Sequence, residues 1–143
     1  MNQKKLSVFY KSVQDVQQWL KEISDYMEDS RETVAYHAMR GTLFALRDRL
    51  TLEEAFQLSA QLPLIVRGLY FEGYKPTGKP AKSNREEFIN QVNKELQVAG
   101  RANPEVAIRA VFHVIRDHIS AGEVEDVKNM MPENLRDLWA VKV

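Results

Sequence analysis

Six arginines, two aspartates and two glutamates stand at spacings from which chemistry could be done. Arg40 and Arg47 lie seven residues apart, so on a helix they share one edge. Arg109 and Arg116 repeat that spacing, and Arg67 and Arg136 follow at equal distances beyond. A planar guanidinium fork suits phosphate or carboxylate, so each group could form an anion site. Asp48 and Asp117 directly follow Arg47 and Arg116. Such built-in partners, together with helix C-termini, favour ion pairs that fix how helices pack. Glu54 and Glu123 sit three residues after Thr51 and Ser120, the arrangement of a capping box, and capping accounts for them.

Other site chemistry finds little support. The absence of cysteine removes disulfides, thiolate metal sites and thiol nucleophiles. His37 and His113 face away from the apolar stripe of their helices. His118, five residues beyond His113, points elsewhere again. With no His-x-x-x-His or Glu-x-x-His pair, a helical zinc or di-iron site lacks its ligands. Neither a glycine-rich phosphate loop nor a Gly-x-Ser-x-Gly turn is present. No catalytic residue, metal or cofactor is therefore expected.

The elements that must position these residues come in two sets. Shifting the chain against itself by 69 residues lays Arg47-Asp48 on Arg116-Asp117, Pro63 on Pro132 and Arg67 on Arg136. Ala38, Arg40, Glu54 and Leu69 likewise fall on Ala107, Arg109, Glu123 and Leu138, without a gap. Eight identities arise where about two are expected from background composition. Apolar positions match too: Trp19, Leu20 and Ile23 meet Phe88, Ile89 and Val92. The expected fold is all-α, with two tandem four-helix repeats packed as one compact bundle with pseudo-twofold symmetry. The repeats span 12–71 and 84–140 within a single domain of 1–143, joined by a basic Gly/Pro linker at 72–83.

Apolar residues recur at helical spacing in both copies, as in Ala38, Met39, Leu43, Leu46 and Leu50. Thr51-Leu-Glu-Glu54, Ser83-Asn-Arg-Glu86 and Ser120-Ala-Gly-Glu123 predict capping boxes. Asn103-Pro104 predicts another helix start, and Pro63 and Pro132 open the fourth helices. The copies differ most there. Leu64, Ile65, Gly68 and Phe71 stand where the second copy has Glu133, Asn134, Asp137 and Ala140. The first fourth helix should thus be covered on two faces, by Leu6-Ser-Val-Phe-Tyr10, by the other half or by a protein partner.

Leu46-Arg-Asp-Arg-Leu50, Ala60-Gln-Leu-Pro63 and Arg67-Gly-Leu-Tyr-Phe-Glu-Gly-Tyr-Lys-Pro76 resemble a bacterial family known as domain of unknown function 2267. Ile119-Ser-Ala-Gly-Glu-Val-Glu-Asp-Val127 and Leu135-Arg-Asp-Leu-Trp139 extend the resemblance over residues 15–140. The family usually carries tryptophan at the position of Tyr74 and leucine at that of Met131. The resemblance implies a small helical bacterial protein and brings no activity, cofactor or catalytic residues.

Charge then narrows the functions. Lysine plus arginine balance aspartate plus glutamate at 20 each. Three lysines lie within residues 1–11 and four cations, Lys75, Lys79, Lys82 and Arg85, within 75–85, neither segment holding an acid. Zero net charge gives generic nucleic-acid affinity little support. The preferred function is a non-enzymatic interaction or scaffold module with a protein partner, self or other, in the cytoplasm. The alternatives are nucleic-acid binding through the linker and duplicated arginines, and a small-molecule or enzymatic cleft between the halves. No spanning segment or membrane association is expected.

Overall fold

The computed structural model describes residues 3–140, with side chains from Leu6 onward. Both ends of the expected 1–143 domain, and the side chains of Lys4 and Lys5, lie outside that description. The described residues form helices and connecting turns with no strand. The order is α1 (Gln3–Met27), α2 (Glu32–Asp48), α3 (Leu52–Ser59), α4 (Leu64–Phe71), α5 (Arg85–Leu96), α6 (Pro104–His118), α7 (Ala121–Met130) and a 3-10 helix, Glu133–Trp139. None is long and apolar enough to cross a membrane.

Helix α2 is the hub, packing against α1, α4, α5 and α6. Its stripe of Ala38, Met39, Leu43, Leu46 and Leu50 is fully buried, as are Ile108, Val111, Phe112 and Ile115 of α6. Gly41 lets α5 approach closely. A Cβ there would stand 3.0 Å from Cβ of Glu95 and 3.2 Å from the Val92 carbonyl oxygen. Gly41→Ala should therefore push α5 outward, and the cost should exceed the roughly 1 kcal/mol by which helix propensity alone favours alanine.

Helix starts follow side-chain chemistry. Thr51 and Ser120 accept the N–H groups of Glu54 and Glu123, and Asn103 accepts those of Glu105 and Val106 ahead of Pro104. The box expected at Ser83 instead forms one residue later. Asn84 caps the Glu87 N–H while the Glu87 carboxylate accepts from the Asn84 N–H. Asparagine and serine cap almost equally well, so the sequence holds two overlapping registers and packing chooses between them. Pro63 and Pro132 sit one residue before their helices. The last element is a 3-10 helix anchored by Trp139, whose ring stacks on Phe112 at 3.9 Å.

Several contacts fall at positions 69 residues apart. An Arg47 Nη1–H donates to the Tyr70 carbonyl (2.8 Å), and an Arg116 Nη1–H to that of Trp139 (2.5 Å). Arg67 donates to the carbonyls of Ser59 and Leu62, and Arg136 to those of Asn129 and Met131. The Thr51 N–H points to Met130 Sδ, while the Ser120 N–H donates to Gln61 Oε1 at 2.7 Å.

Candidate functional site

The duplicated arginines are consumed by packing. Arg47 is buried, holds the carbonyls of Tyr70 and Glu72, lies 3.4 Å from Asp48 and stacks over Phe44. Arg40 pairs with Glu72 at 2.8 Å and with Glu95 at 2.7 Å, and the guanidinium holds the Glu72 carboxyl below its usual range. Arg109 bridges Glu105 and Asp137. Asp117 departs from the expected arrangement: it pairs with His113 at 3.7 Å, leaving Arg116 to the Trp139 carbonyl. Arg67 and Arg136 hold the carbonyls that end the preceding helices. These contacts satisfy the orphan acceptors of helix C-termini.

The linker 72–83 is docked rather than free. Lys79 is mostly buried, lying 3.4 Å from Asp48 and over the Tyr74 ring. The Ala81 N–H donates to the Asp48 carbonyl, and Arg49 donates to that of Ala81. Arg85 pairs with Asp137 and Glu105. Of the four cations in this segment, Lys75 and Lys82 are exposed and without an ion pair among the described residues.

Part of the apolar surface of α4 stays open in the single chain, the face a partner chain was expected to cover, while α1 and α2 pack on the rest. Leu64 is 54% exposed and Gly68 is exposed, with Ile65 and Phe71 half-buried. The N-terminal segment does not serve as its lid. Residues 3–15 continue α1 as helix, and Val8, Phe9 and Tyr10 are themselves exposed. This helix runs about 37 Å, at 1.5 Å per residue, and packs against α4, with Ser12 buried and Leu6 half-buried in its first half. Phe71 finds its neighbours locally, in Phe56, Tyr70 and Tyr74. Some surface depressions among the described residues lie within single halves. The one between α6, α7 and the 3-10 helix has about 540 Å³ and is lined by Arg116, Val124, Lys128 and Trp139.

Glu54 and Glu123 were expected only to cap, and here the structure differs most. Their backbone N–H groups are capped, but their carboxylates do not return to Thr51 and Ser120, whose N–H groups are taken by Met130 and Gln61 from the other half. Freed from that role, the two carboxyls turn inward and face each other where α3 packs on α7, within hydrogen-bonding reach. Each residue is only 7% exposed, and Oε2 of each is buried without a partner. One oxygen from each, with one from exposed Asp126, lie within 4.8 Å of one another. The Tyr70 hydroxyl, donating to the Ala55 carbonyl at 2.9 Å, feels the charge of both glutamates.

Burial and the neighbouring Glu54 push the Glu123 carboxyl up to about 8, from a usual 4.5. Its protonated form is thus favoured by folding. The associated stability is fully present below about pH 4.5 and is lost as pH rises through about 8. In chelator-containing buffer, urea melts at pH 6 and pH 9 should show the parent losing at least about 1 kcal/mol more than Glu123→Gln does. Equal losses in both proteins would show that the pair does not titrate as a unit.

Spacing within one helix could not find this pair, since its members come from helices far apart in sequence. The available signal was their equivalence at the 69-residue offset.

No curated protein matches the chain. The family described as "Uncharacterized conserved protein (DUF2267)" matches residues 16–138, most of the chain and every helix but the first turns of α1. The duplicated arginines, the docked linker and the facing glutamates all lie within that span, and the chain belongs to this family.

Proposed function

We propose that this protein is a non-enzymatic helical interaction module, cytoplasmic, that pairs with a second copy of itself through the exposed apolar face in the first half of α1. One observation carries the reading. Leu6, Phe9, Val13, Val16, Leu20, Ile23 and Met27 follow one another at alternating spacings of three and four, the pattern of a coiled-coil seam. The lower part of this seam is used: Leu20 and Ile23 are buried, and Val16 and Met27 pack against the core. In the upper part Leu6 is half-buried, whereas Phe9 is 60% and Val13 43% exposed.

A half-used seam is completed by another helix with the same periodicity, and the same segment of a second chain supplies one. Antiparallel pairing gives a closed, self-complementary interface. Charge favours that orientation. Residues 1–11 carry three lysines and no acid, whereas 12–27 carry Asp15, Glu22 and Asp25 against Lys21. Antiparallel helices bring the basic end of each beside the acidic turns of the other. The family match begins at residue 16, so this surface lies outside the matched span.

The 69-residue equivalences in contacts support reading the chain as a duplicated unit, with the two copies related by a rotation. The docking of Lys79 and Arg85 onto acidic partners weighs against nucleic acid as the ligand.

Sedimentation equilibrium at about 50 µM, a concentration that populates contacts of modest size, tests the pairing. The parent should be dimeric, and Phe9→Asp with Val13→Asp should make it monomeric with unchanged helicity. A monomeric parent, or a dimer broken by Ile65→Asp but not by the α1 pair, defeats this reading.

A further inference from the structure

We propose that Glu54, Glu123 and Asp126 form a binding site for a hard divalent cation of calcium size, bridging α3 and α7. This inference is independent of how the chain associates.

The geometry leaves a deficit that a cation would fill. Two carboxyls face each other with 7% exposure each, and no Lys, Arg or His pairs with any of the three acids among the described residues. Burying like charges without compensation is costly, so a proton or a cation must enter. A shared proton engages one oxygen of each glutamate. Glu54 Oε2 and Glu123 Oε2 are both buried, and no other hydrogen-bond donor of the protein reaches either. A bound ion, with the water it carries, satisfies these acceptors.

Ligand chemistry narrows the ion. The donors are carboxylate oxygens only, which suits hard cations over zinc or copper. Three oxygens within 4.8 Å of one another lie at most about 2.8 Å from a common centre, so closing in by a few tenths of an ångström brings all three into the calcium range. Asp126 is exposed and provides the route in from solvent. The other ionisable groups facing the pair are Asp126 on α7 and Tyr70 on α4, neither of which supplies positive charge.

The test uses the whole chain, freed of metal by chelator and exchanged into buffer at pH 7.5. Calcium chloride is titrated calorimetrically, and melting is followed with and without the ion. The expected result is saturable 1:1 binding that raises the melting temperature, since an ion bound only by the folded state stabilises it. Glu54→Gln and Glu123→Gln, which keep side-chain shape, should each weaken binding by at least about tenfold while retaining helicity. Asp126→Asn should weaken it less. Absence of saturable binding below about 10 mM calcium, magnesium or manganese would overturn the proposal, that being weaker than the weakest ordinary calcium modules. So would binding unchanged by both glutamine variants, which would place the ion elsewhere.

Discussion

Leu46→Ala and Ile115→Ala should each cost about 2–4 kcal/mol in urea melts, the range for truncating a buried aliphatic side chain. Both are fully buried. Leu46 lies on α2, which touches four other helices, so the cavity left behind has walls fixed from several directions. Ile115 holds the corresponding place on α6, beside α1, α2, α5, α7 and the 3-10 helix. Neither site can collapse by moving one neighbour, which places both toward the upper part of the range. If either loses less than about 1 kcal/mol, the core is not centred on these helices.

The second large effect separates two residues that look alike in sequence. Arg47→Met should cost about 3 kcal/mol, whereas Arg116→Met should cost about 1 kcal/mol. Methionine keeps much of the aliphatic stem, so the comparison isolates the guanidinium. At Arg47 that group is buried and donates to two carbonyls, Tyr70 and Glu72, and its loss leaves both acceptors without their donor, while Asp48 keeps only Lys79 as a cation. Arg116 is exposed and holds only the Trp139 carbonyl, which water can reach in its place. Denaturant melts of the two variants side by side decide the matter. Equal losses would mean that the buried contacts of Arg47 contribute no more than the exposed one of Arg116.

The sequence alone determined the helices and where most begin. Apolar periodicity marks a stripe of Leu43, Leu46 and Leu50 because only the buried face of a helix must exclude water, and that constraint is local. Hydroxyl and amide caps at Thr51, Ser120 and Asn103 are legible for the same reason: donor and acceptor lie within three residues. The structural role of the arginines was legible from Asp48, although their main partners proved to be carbonyls at helix ends, which no side-chain motif announces.

Tertiary structure decided whatever depended on which atoms were already taken. Glu54 and Glu123 read as capping residues until Met130 and Gln61, from the opposite half, occupy the N–H groups those carboxylates would have reached. The choice of Asn84 over Ser83 turns on packing between registers of nearly equal energy. Leu64 and Phe9 are apolar on paper in the same way as Leu46, and nothing in their spacing says that one side chain meets the core and the others meet solvent. Local preference sets which element forms. Competition for partners across the fold sets what its side chains are left free to do.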